Sequence, residues 1–175
     1  YTKSSIQPLF VNRKFVLVGA GLKESDLLPE KNLIVADGAL RGCLNRNIVP
    51  EWIISDLDGY IPDMLWASQN GSKIIIHAHG DNLSRVSLYS NQIDPECITT
   101  TYPSSYTYCW GGFTDGDRSV MMCLSLGCKS VKLVGFNFEE VGTFTGEYSP
   151  RKLEKLQWAK KIINECQQRS SSIIY

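Results

Sequence analysis

Short apolar, β-branched runs recur along the chain at 14–19, 32–36, 52–55, 73–77, 98–101, 130–135 and 171–175. Each has the length of a strand and falls short of a buried helix. Between most of them, apolar residues return every three to four positions, which predicts helices over 25–28, 39–46, 62–69, 83–90, 117–126 and 150–169. The last is the most regular. Leu153, Leu156, Trp158, Ala159, Ile162, Ile163 and Cys166 repeat at helical spacing with Lys and Glu between them, as in an amphipathic helix laid on a core. The strand runs are apolar at successive positions, so both of their faces are buried, the arrangement of a mostly parallel sheet covered on each side. The expected fold is α/β: a single domain over residues 1–175, with a mostly parallel sheet of about six or seven strands and helices on both faces, Rossmann-like in layout.

Residues 99–116 break the pattern. They are rich in Tyr, Ser, Thr and Gly, hold Tyr102, Tyr106, Tyr108 and Trp110, and show no apolar period. A loop of that length in a compact domain is commonly a binding element or a lid, and its aromatic rings suit covering a flat heterocycle.

Composition narrows the field mainly by exclusion. A chain of 175 residues, 43% hydrophobic and 21% charged, can bury one continuous core. Its 18 Lys and Arg balance its 18 Asp and Glu, so no broad field draws nucleic acid or anionic membrane, and an anionic ligand must be held locally. The longest apolar stretches, 15–18 and 74–76, are too short to cross a bilayer, and the expected setting is soluble and cytoplasmic. Oligomeric state stays open, a homo-oligomer included. None of the six cysteines stands in a Cys-x-x-Cys pair, which predicts free thiols in a reducing compartment. Zinc is disfavoured, because the two histidines lie together at 77 and 79 without cysteines at finger spacing.

The acids carry the functional signal. Asp37, Asp56, Asp58, Asp81, Asp115 and Asp117 all sit just past apolar runs or at the start of a predicted helix, the positions that an open parallel sheet gathers at its carboxyl edge. Carboxylates brought together repel one another, and a hard divalent cation such as Mg²⁺ relieves the repulsion through oxygen ligands. Asp56-Leu57-Asp58 is the strongest of these pairs, with Gly59 expected to permit the curl that points both carboxylates at one ion. Gly19-Ala20-Gly21, after the first run, allows close backbone approach to a phosphate, with the next helix aimed at the anion. It lacks the third glycine of a dinucleotide fingerprint and the Gly-Lys-Ser/Thr ending of a Walker loop, and a plain turn explains it as well.

His77 and His79 share one side of an extended strand and can orient a phosphate or a substrate hydroxyl, while Asp81 and Asn82 suit the cap of the following helix. Thr114, Asp115, Asp117 and Arg118 collect a hydroxyl, two carboxylates and a guanidinium at a helix start, where Arg118 can reach phosphate or simply be solvated while Asp caps the helix. No Gly-x-Ser-x-Gly elbow or activated cysteine is present, which disfavours acyl transfer, and the EF-hand ligand ladder is absent.

Taken in order, Gly19-Ala20-Gly21, Ala36-Asp37-Gly38-Ala39, Ser55-Asp56-Leu57-Asp58-Gly59, His77-Ala78-His79-Gly80-Asp81-Asn82, Gly112-Phe113-Thr114-Asp115-Gly116-Asp117-Arg118 and Gly135-Phe136-Asn137-Phe138 resemble the archaeal type of 6-hydroxymethyl-7,8-dihydropterin diphosphokinase. The likeness runs from the first strand to the last helix. It implies Mg²⁺-dependent transfer of a diphosphoryl group from ATP to the pterin hydroxymethyl, with AMP released, in folate or methanopterin synthesis. The small-molecule partners are then ATP and a pterin. On that reading Asp56, Asp58, Asp81 and Asp117 bind metal, with Asp115 a further acid of the site. Gly19, Ala20, Gly21, Gly38, Thr114, Asp115 and Arg118 line the nucleotide, His77, His79, Asp81, Asn82 and Arg118 act on phosphate or the attacking hydroxyl, and Asp37 pairs with a substrate amine or ribose. Two features depart from the family: only 13 residues precede Lys14, and Asn137 stands where an acid is common. Thiamine pyrophosphokinase, which shares the Asp-x-Asp element, a non-catalytic nucleotide-binding domain and a sugar-nucleotide transferase are the alternatives.

Overall fold

The computed structural model describes residues 5–139 and 150–174. Seven parallel strands, β1 (Lys14–Val18), β2 (Leu33–Ala36), β3 (Trp52–Ser55), β4 (Lys73–Ala78), β5 (Cys97–Thr100), β6 (Ser130–Val134) and β7 (Ile173–Ile174), form one sheet in the order β5-β4-β3-β2-β1-β6-β7. Among the described residues five α-helices accompany them: α1 (Leu40–Leu44), α2 (Ile61–Gln69), α3 (Leu83–Ile93), α4 (Asp115–Ser125) and α5 (Pro150–Arg169).

The doubly apolar strands have the expected cause. Phe15, Leu17, Ile34, Trp52, Ile54 and Ile75 point into one core with Val120 and Cys123 of α4 and Ile163 of α5. Their neighbours Val18, Leu33, Val35, Ile53, Ile74 and Ile76 point into a second core with residues of α1, α2 and α3. Because successive strand side chains face opposite ways, each of β1 to β6 feeds both cores, and β2 and β3 are buried along their whole length. All six cysteines are free.

Strand order decides where ligands can sit. From β1 the chain steps outward through β2, β3, β4 and β5, then α4 crosses back over β3, β2 and β1 before β6 joins the other side of β1. The order therefore reverses between β1 and β6, and that crevice opens at the carboxyl edge. The same crossing drops the amino end of α4 over the ends of the central strands.

Four sequence expectations change. No helix forms over 25–28, which is turn and irregular chain, since the segment has too few apolar residues to anchor a turn of helix against the sheet. Helix α4 begins at Asp115, two residues earlier than its apolar pattern, because its first turn is capped by polar groups. Thr99 and Thr100 belong to β5, as the run over 98–101 predicts and the loop reading of 99–116 does not, and the loop after them folds back so that Thr100 N–H donates to Tyr108 O and Tyr108 N–H to Ile98 O. The final strand is shorter than 171–175, and Tyr175 lies outside the described residues.

Candidate active site

Asp37 and Asp56 directly follow β2 and β3, and Asp58 comes two residues later. One carboxylate oxygen from each lies within 4.8 Å of the others. Local backbone builds this group. Buried Leu57 adopts a left-handed conformation, φ 66°, which turns the chain sharply between the two acids while its side chain is anchored in the core. Ser55 Oγ accepts Leu57 N–H at 2.8 Å and donates to Asp37 Oδ2 at 2.7 Å, and Gly59 N–H reaches the same oxygen at 3.1 Å. The curl thus belongs to Leu57. Gly59 is required for a different reason: a β-carbon there would lie 2.5 Å from Asp37 Oδ1.

The acids strain one another. Burial, then the Asp56 charge, raises the Asp37 carboxyl, with its bonds from Ser55 and Gly59 opposing. Asp58 is solvent-exposed, yet partial desolvation and the neighbouring Asp56 push it up to about 6. Asp115, in the first turn of α4, is raised well above its ordinary value by loss of solvent and by Asp56 and Asp37, with Arg118 opposing. Three hard oxygen donors around one point, two of them reluctant to ionise together, suit a divalent cation of the Mg²⁺ kind. Asp37, set by the family resemblance against a substrate amine or ribose, lies beside Asp56 and Asp58 in this group.

Other predicted residues receive different work. Asp117 is fully buried, and its carboxylate accepts Phe113 N–H at 2.6 Å, Thr114 N–H at 2.7 Å and the Thr114 hydroxyl, so it caps α4 and stands outside the group of three acids. Asp81 is exposed in the turn before α3 and stands outside the acid group. Arg118 is buried rather than solvated. Its Nη1 donates to Gly111 O at 2.7 Å and Gly112 O at 3.2 Å, tying the aromatic loop to α4.

Asn82 is likewise a positioning residue. Its amide donates to Asp56 O and His77 O, both at 2.7 Å, and accepts His79 N–H at 3.0 Å, lashing the end of β3 to the end of β4. Arg85 of α3 adds a bond from Nη1 to Leu57 O at 2.8 Å. These contacts set His79 beside the acids, with Nε2 3.6 Å from Asp56 Oδ2. His77 lies under it at 5.6 Å between ring centres, and burial, Arg118 and His79 hold its imidazole down to about 4, so it is neutral near pH 7.

Gly19 and Gly21 meet the turn after β6. Gly21 N–H donates to Gly135 O at 2.8 Å, and β-carbons at 19 and 21 would come within 2.7 and 2.9 Å of that oxygen. With no helix after β1, Gly19-Ala20-Gly21 has no helix terminus to present to an anion. Gly38 lies in a short 3₁₀ turn, Asp37–Ala39, that starts at the acid. Beyond β5, Tyr108 and Trp110 stack at 4.6 Å and 16°, while Tyr102 and Tyr106 are 81% and 78% exposed.

Sequence comparison converges on the same chemistry. A family model described as 6-hydroxymethylpterin diphosphokinase MptE-like matches residues 1–143. Curated proteins named 6-hydroxymethyl-7,8-dihydropterin pyrophosphokinase are similar over most of the chain. The one from Methanothermobacter thermautotrophicus is 34% identical over 86% of this chain and 72% of its own. That from Pyrococcus furiosus is 34% identical over 87% and 71%. That from Methanocaldococcus jannaschii is 32% identical over 91% and 76%. The chain belongs to the MptE-like family of 6-hydroxymethylpterin diphosphokinases, enzymes of the diphosphotransferase class.

Proposed function

We propose that this protein transfers a diphosphoryl group from ATP to the hydroxymethyl oxygen of 6-hydroxymethyl-7,8-dihydropterin, with Mg²⁺ as cofactor and AMP as the second product, in the cytoplasm. The observation that carries the reading is the convergence of Asp37, Asp56 and Asp58 at the ends of β2 and β3. Among the described residues no helix is long and apolar enough to cross a membrane, in keeping with small-molecule substrates.

Asp37, Asp56 and Asp58 would hold the cation. When bound, it would offset the charge of the polyphosphate and of the departing AMP. The chain's own residues supply the rest. Leu57 and Asn82 fix the main chain on either side of the acids, so the site is organised before substrates arrive. His79, beside Asp56, orients the pterin hydroxyl and receives its proton as the oxygen bonds to the β-phosphorus and the bond from that phosphorus to the α,β-bridging oxygen breaks. The aromatic loop covers the pterin ring and keeps water from competing with the hydroxyl.

The test is product analysis with purified protein, ATP and Mg²⁺, offering in turn 6-hydroxymethyl-7,8-dihydropterin, thiamine and no acceptor. AMP formed in proportion to diphosphorylated pterin is the expected result. AMP with thiamine alone would make the protein a thiamine kinase, and nucleotide binding without AMP would make it a non-catalytic domain.

A further inference from the structure

Among the described residues, four buried side-chain polar atoms make no hydrogen bond: Trp52 Nε1, His77 Nδ1, Thr99 Oγ1 and Arg118 Nε. Trp52 stands apart at the amino end of β3, packed on Phe10. The other three share one place. His77 and Thr99 are directly paired across β4 and β5, two residues beyond Ile75 and Cys97, which point into the core that α4 covers. Their side chains therefore rise on the α4 face, while Ile76, Ala78 and Ile98 turn to the other core. Arg118 reaches the same spot from α4: after burial, its charge is the next cause that holds the His77 imidazole down to about 4. Tyr108 pairs with Thr99 in a parallel bridge, Tyr108 and Trp110 pack on this core, and Arg118 Nη1 holds the carbonyls of Gly111 and Gly112, so the aromatic loop closes the socket from above.

We propose that His77, Thr99 and Arg118 select the acceptor by receiving the pterin edge that carries N5, O4 and N3–H, an inference that rests on the diphosphokinase reading above. Buried polar groups are costly when nothing meets them, and a ligand at the acid rim can satisfy all three. Arg118 Nε–H and the Thr99 hydroxyl are donors, and Nδ1 of a neutral imidazole is an acceptor when the proton sits on Nε2. A 7,8-dihydropterin offers the complement along one edge, acceptors at N5 and O4 and a donor at N3–H. Thiamine does not: its hydroxyethyl group grows from a cationic thiazolium, flanked by a sulfur and a methyl-bearing carbon, and the Arg118 charge opposes it.

The route from this socket to the acids is short. The rings of His77 and His79 are 5.6 Å apart, and His79 Nε2 is 3.6 Å from Asp56 Oδ2. The hydroxymethyl carbon is bonded to C6, next to N5, so a pterin seated by that edge over His77 carries its reacting oxygen toward His79 and the acids. The three polar atoms are covered in this structure, and the ring enters as the Tyr108–Trp110 pair lifts. Gly111 and Gly112, at φ 78° and 87°, are the point about which the loop turns.

Thr99→Val tests the assignment, because it removes the hydroxyl, keeps the β-branched shape and breaks no hydrogen bond of the free protein. Calorimetric titration with 6-hydroxymethyl-7,8-dihydropterin and steady-state kinetics should show Kd and KM for the pterin raised about tenfold, KM for ATP unchanged and a Tm no lower than that of wild type. Thr99→Ser, which keeps the hydroxyl, should hold pterin affinity within about twofold of wild type. Should Thr99→Val lose its fold, the 5-deaza analogue of the pterin probes the same edge from the ligand side, and wild type should bind it about tenfold more weakly than the parent compound. A raised KM for ATP with the pterin unaffected would give the socket to the nucleotide, and unchanged pterin affinity in Thr99→Val or for the analogue would leave the three groups structural; either result overturns the proposal. Wild type that forms AMP with no acceptor would instead overturn the diphosphokinase reading, and the pterin titration, which needs no turnover, separates the two failures. Wild type that neither binds the pterin nor forms AMP with it overturns both.

Discussion

At Asp37 the chemistry turns on a single missing methyl group. Gly59 approaches the carboxylate so closely that Gly59→Ala must displace it, and the variant should bind Mn²⁺ at least about tenfold more weakly while retaining its fold. An unchanged Mn²⁺ affinity would remove Asp37 from the metal group. The raised carboxyls also make stability depend on pH in a defined sense. Asp37, Asp58 and Asp115 ionise less readily in the folded chain than in the unfolded one, so their contribution is present in acid and lost as pH rises through the folded values, about 6 for Asp58. His77, held at about 4, opposes this, because the unfolded imidazole takes up a proton below about 6.5 and the folded one does not. Mg²⁺ should therefore raise the Tm more near pH 8, where the acids are ionised, than near pH 5.5. A Tm that Mg²⁺ moves equally at both would contradict the linkage. Sequence made Asp56 and Asp58 visible as a motif because they are two residues apart. Asp37 joins them across a strand boundary, a proximity that only strand order creates.

Among the elements, α4 shows where reading residue types goes astray. Its opening Thr114-Asp115-Gly116-Asp117-Arg118 has the composition of a phosphate site, yet Asp117 serves the helix start and Arg118 the preceding loop. Nothing in the spacing separates an acid that faces a ligand from one that faces its own backbone, and burial makes the distinction. Asp117→Ala should cost about 1–3 kcal/mol of stability through loss of the cap and its buried donors, measured by urea unfolding. Asp56→Ala, at the rim, should leave the midpoint near that of wild type and abolish AMP formation. If Asp117→Ala proved as stable as wild type and lost Mn²⁺ binding, its assignment as a cap would be wrong. The long helix α5 was legible because twenty residues of amphipathic period outweigh local noise, whereas 25–28 offered one turn's worth of pattern and no core to bury it against.

The whole molecule owes its site to topology. Parallel strands bring every acid, histidine and glycine motif to one edge, an arrangement that doubly apolar runs and strand–helix alternation foretell before any coordinates. The order of those strands was not legible, because it depends on α4 crossing back over the sheet, a long-range packing event with no local signature. That order places Asp37, Asp56 and Asp58 at the ends of neighbouring strands, with His79 beside them at the end of β4. The most direct test is a calorimetric titration of Mn²⁺ into wild type and into Asp56→Ala/Asp58→Ala, with the double variant's fold verified by its Tm. The account predicts a saturable site in the wild type that is lost in the double variant along with AMP production. Equal Mn²⁺ affinity in the two proteins, or undiminished AMP from the variant, would contradict it.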